Sequence, residues 1–65
     1  MLNTEVEALR AGAAALRSNA DHIEGRALKP KVHLDWAAAC RAYAATLDAM
    51  ADQREAAPRE GTHNP

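Results

Sequence analysis

The chain reads as an all-α antiparallel helical hairpin, and three observations predict it. Leu2, Val6, Leu9, Ala13, Leu16, Ala20 and Ile23 recur at alternating steps of four and three residues, the period at which side chains line one face of a helix. Trp36, Cys40, Tyr43, Leu47, Met50 and Arg54 repeat those steps in the second half. Folding the chain back between the stripes sets Ile23 against Trp36, Ala20 against Cys40, Leu16 against Tyr43, Ala13 against Leu47 and Leu9 against Met50. The paired position numbers then add to an almost constant total, as an antiparallel register requires.

The spacing predicts a first helix over 4–24. Thr4 and Glu7 form a capping box, in which the hydroxyl accepts from an early amide and the carboxylate reaches back. Glu5 and Glu7 suit the positive end of the helix dipole, and His22 suits the negative end. Gly25 supplies a left-handed stop. Gly12, in mid-helix, costs roughly 1 kcal/mol relative to alanine. Residues from Arg26 to Val32 make the turn, in which Pro30 fits either the loop or the first helical turn. A second helix follows over 32–56, with Asp35 near its start. Pro58 disfavours helix in the residue before it. The hairpin therefore occupies 1–57, and 58–65 is a polar tail expected to be disordered.

Sixty-five residues make a single domain that buries about 60% of its unfolded surface and is marginal alone. One cysteine excludes an internal disulfide, and the Cys and His spacings suggest no structural zinc. Oligomerisation is the remaining rescue. Alanine fills 17 positions, and each helix carries a second stripe of small residues. These are Ala8, Gly12 and Ala15 (continued by Asn19 and His22) and Ala38, Ala42, Ala45 and Ala49. A second apolar stripe buries a second neighbour, so the expected assembly is a homodimeric four-helix bundle or a higher oligomer. These alanines and Gly12 form its interface, with the axes close together.

The net charge of −1 lacks the excess of Lys and Arg that nonspecific nucleic-acid binding draws on. The first residues show no basic segment followed by an apolar run, so no signal peptide is read. The longest apolar stretches fall far short of the roughly 20 residues a membrane span needs. A lone cysteine on a core stripe suits a reducing compartment. The expectation is a cytoplasmic protein with no membrane contact.

Charge is uneven along the chain. Positions 26 to 41 carry +3 and the remainder −4, which gives the hairpin a basic inter-helix tip. The start of the second helix offers free amides that attract phosphate or carboxylate. Arg26, Lys29, Lys31 and His33 stand around it as donors, Trp36 can offer a ring face, and Arg41 can form a bidentate contact. The same segment holds Val32 and Leu34, an apolar pair that can close the bundle or meet a partner. No metal site is expected, because His22, His33 and Cys40 lack ligand spacing. No catalytic residues are expected either. Ser18 has no base nearby, Cys40 and His33 lie about 10 Å apart along one helix, and Asp48 with Asp52 reads as a solvated acid pair. No cofactor is implied.

In length and helix-turn-helix plan the chain resembles the small plasmid RNA-regulating hairpins that dimerise into four-helix bundles. The resemblance covers architecture and carries no residue motif. The expected function is a non-enzymatic oligomeric binding protein that captures a small anionic, nucleotide-like ligand at the tip, as a phage-type sequestering protein would. The alternatives are an inhibitor or adaptor that docks a host protein and an RNA- or DNA-binding hairpin regulator.

Overall fold

The computed structural model describes residues 4–56. They form two helices, α1 (Thr4–Glu24) and α2 (Lys31–Ala56), packed against each other as an antiparallel hairpin. The bounds of α1 are those expected, and α2 begins one residue earlier than expected. Leu2 and the 58–65 tail lie outside the described residues.

One end of α1 differs from the expected capping. Thr4 and Glu7 both lie in the first turn of α1. At the other end Gly25 does not take a positive φ. Its amide still donates to the Asp21 carbonyl at 2.9 Å, and the Arg26 amide turns back to the Ile23 carbonyl at 3.3 Å. The last turn tightens in place of reversing hand. Lys29 Nζ then donates to the Glu24 carbonyl at 3.2 Å, satisfying an otherwise unpaired acceptor at the negative end of the dipole. Pro30 stands immediately before α2, and its carbonyl accepts from the amides of His33 at 2.9 Å and Leu34 at 3.1 Å. A residue with no N–H loses nothing at that position.

The α1 stripe is the expected one. Val6, Ala13, Ala20 and Ile23 are buried, with Leu9 and Leu16 half-buried between them. The α2 stripe is corrected. Its buried residues are Ala37, Cys40, Ala44 and Ala51, while Trp36 is 49% exposed and Tyr43 57%. Both candidate stripes of α2 contain Cys40, Leu47 and Arg54. The helix is turned so that alanines at every seventh position, 37, 44 and 51, replace Trp36, Tyr43 and Met50 at the seam. Ala13 and Ala20 answer them from α1. The physical reason is space: interiors pack to near-crystalline density, and an aromatic ring between the axes would hold these helices apart. The resulting core is thin. Ile23 is the one large side chain fully buried among the described residues, and each buried methyl group contributes about 0.8 kcal/mol.

Candidate binding end and flanks

One flank of the seam is a ladder of charge. Arg10 reaches across to Asp52 at 2.9 Å, to Glu55, and to Asp48 at 3.6 Å. Arg17 pairs with Asp48 at 2.7 Å. Arg41 pairs back to Asp21 at 2.7 Å and to Glu24 at 2.5 Å. The rungs Arg10–Glu55, Arg17–Asp48 and Glu24–Arg41 climb by seven residues on α1 and descend by seven on α2. The hydrogen bond from Asp52, then that from Glu55, raises the Arg10 guanidinium above its ordinary value. Glu24, then Asp21, does the same for Arg41, and the Arg41 bond holds the Glu24 carboxyl below its ordinary range. Reading charge along the chain missed these pairs. The signal for them was the seven-residue spacing of Arg10, Arg17 and Glu24 against Arg41, Asp48 and Glu55.

The opposite flank is nearly free of charge. Glu5 pairs with Arg54 at 2.6 Å at its open end. Above that, a Cβ on Gly12 would lie 3.1 Å from Leu47 Cδ1, and Asn19 Nδ2 donates to Cys40 Sγ at 3.5 Å. These contacts again step by seven along both helices. Helical geometry therefore places Ala8, Gly12 and Ala15 of α1 on this side. It places Trp36, Tyr43 and Met50 of α2 beside them. Ala38, Ala42, Ala45 and Ala49 are exposed, but they lie around the far side of α2, next to the acid row. The two small-residue stripes do not share a face.

At the inter-helix end the six expected ligand residues are differently committed. Arg41 is held by Asp21 and Glu24. Lys31 is paired with Asp35 at 2.8 Å, and Lys29 closes the end of α1. Arg26 is exposed and meets no carboxylate among the described residues. His33 is half-buried and meets Trp36 edge to face, with ring centroids 6.4 Å apart and planes at 74°. Its Nδ1 is buried without a hydrogen-bond partner. Folding brings Asp21 and Glu24 onto the tip, so its four cations face three carboxylates. A single positive charge remains where the segment 26–41 alone carries +3. The same end exposes Leu28 (81%), Val32 (67%) and Leu34 (41%).

Cys40 is a buried free thiol, and no group of three His, Cys, Asp or Glu among the described residues is placed to hold a metal ion. No helix among the described residues is long and apolar enough to cross a membrane. No protein-family model matches the chain, and neither a curated protein nor a solved structure matches it.

Proposed function

We propose that this chain is a non-enzymatic interaction protein that self-associates into a four-helix bundle and docks another protein at its inter-helix end. The observation that supports docking is the exposure of Leu28, Val32 and Leu34 around one turn. Large apolar side chains that a fold leaves uncovered at one end can serve as an interaction surface. Self-association is supported by the thin alanine core, since a chain of this size needs burial from elsewhere. A reducing cytoplasm suits the free thiol of Cys40. The test is recovery of partners from the protein's own host on the full tagged chain. A specific protein bound by the parent and lost on Leu34→Asp or Leu28→Asp supports docking. A partner profile unchanged by both substitutions removes it.

Capture of a small anion is the second reading, favoured by the unpaired guanidinium of Arg26 beside the first turn of α2. It ranks lower because Lys29, Lys31 and Arg41 already have partners. It predicts a change in Trp36 fluorescence with one member of a nucleotide panel, abolished by Arg26→Ala. A panel with no response rejects it.

A further inference from the structure

We infer that the flank bearing Trp36, Tyr43 and Met50 receives the same flank of a second copy, with both inter-helix turns at the same end of the bundle. This rests on the self-association proposed above and assigns its face and orientation.

The face follows from the contrast between the flanks. The ladder side is filled with paired charges, which would have to be stripped of water to be buried. The other side has no charged residue between Glu5, tied to Arg54, and the turn. It nevertheless exposes half of Trp36 and more than half of Tyr43, the residue types that contribute most to interfaces. Its size is sufficient. Over the length of α1, about 32 Å at the standard helical rise, a face two helices wide covers roughly 600 Å² per copy. Roughly 1,200 Å² in total lies at the lower edge of stable interfaces.

The orientation follows from side-chain size. Along α1 the face is small over Ala8, Gly12 and Ala15, with Asn19 and His22 continuing it toward the turn; along α2 it is large, with Met50, Tyr43 and Trp36. A closed dimer repeats each contact through a two-fold axis. If the axis runs along the hairpin, α1 of each copy lies on α2 of the other, and the large ridge enters the small groove twice. If it runs across the hairpin, ridge meets ridge and groove meets groove, so aromatic rings crowd at one line and a gap opens at the other. The single positive charge left at each tip is a weak opponent, since salt screens it within about 8 Å. The arrangement brings two sets of Leu28, Val32 and Leu34 into one composite surface at the shared end.

The experiment places one spin label per chain at the turn, on Ala27→Cys in a Cys40→Ala background of the full chain. Inter-label distance and solution mass are then measured together. A dimer with a short distance, about 15–30 Å for helices at bundle spacing, is the expected result. A dimer with labels about 40 Å or more apart, the length of α2, overturns the orientation and leaves self-association standing. A monomer with no dipolar signal overturns both. Tyr43→Glu is expected to lower the solution mass to that of a single chain, and a dimer that persists through it overturns the choice of flank.

Discussion

A methyl group added to Gly12 would stand 3.1 Å from Cδ1 of Leu47 across the seam. The glycine thus leaves room for the half-buried Leu47 on the uncharged flank. Gly12→Ala gains about 1 kcal/mol of helix propensity, and the terminal methyl of Leu47 must yield by a few tenths of an ångström. The expected change in unfolding free energy is therefore small, within about 1 kcal/mol of the parent. Gly12→Leu has no such room and is expected to destabilise by about 1–3 kcal/mol. Urea denaturation of both variants checks the contrast, and equal midpoints would refute it.

Alanine at the seam of α2 is a packing requirement. Ala44 is fully buried, whereas Ala45 is exposed. Ala44→Leu overfills the close approach and is expected to cost about 1–3 kcal/mol, while Ala45→Leu changes stability by about 0.5 kcal/mol or less. If the two substitutions proved interchangeable in chemical denaturation, the observed rotation of α2 would be incorrect.

Arg10 gathers Asp48, Asp52 and Glu55. Arg10→Ala leaves Asp52 and Glu55 without a cation among the described residues and lowers the Tm at low ionic strength. The loss shrinks at high salt, where the screening length falls to about 3 Å. Thermal unfolding of parent and variant across a salt series measures the difference. A deficit that does not depend on salt would assign Arg10 a packing role instead.

Glu24 carries the acid sensitivity of the tip. Its carboxyl lies below the ordinary value of 4.5 because Arg41 binds the charged form. Stability from this pair is fully present above the unfolded value and is lost as pH falls through the lower folded value, because the folded state then binds the proton more weakly than the unfolded one. A Tm profile over roughly pH 2 to 6 should fall for the parent and fall less steeply for Glu24→Gln. Parallel profiles would mean that the pair adds nothing.

His33 leaves Nδ1 buried without a partner. An unsatisfied buried polar atom costs about 1–3 kcal/mol. Replacement by an apolar side chain of similar reach removes that cost, so His33→Leu is expected to raise stability by about 1 kcal/mol. A lower denaturation midpoint would show that the imidazole contributes packing or a bond that leucine does not replace.

The candidate site was only partly legible before folding. Arg26, Lys29, Lys31 and Arg41 stand together in sequence, so a basic tip was visible. The carboxylates that answer Arg41 come from Asp21 and Glu24 on the other helix, and no local reading of charge brings them there. The two small-residue stripes were each legible as helical faces. That they point to different sides depends on the rotation of α2 about its own axis.

Local chemistry in the chain determined the helices themselves: a four-three apolar period, alanine throughout, and Pro30 and Gly25 between two long runs. It also determined their antiparallel register, because facing positions must add to a constant. The tertiary structure decided which of two overlapping stripes on α2 meets α1. Hydrophobicity alone favours Trp36 and Tyr43 at the seam, but helices whose facing stripe includes Ala13 and Ala20 approach too closely to admit a ring. Packing therefore turned the aromatics outward and drew Ala37, Ala44 and Ala51 in, a choice that depends on the space between two surfaces and is absent from either one taken singly.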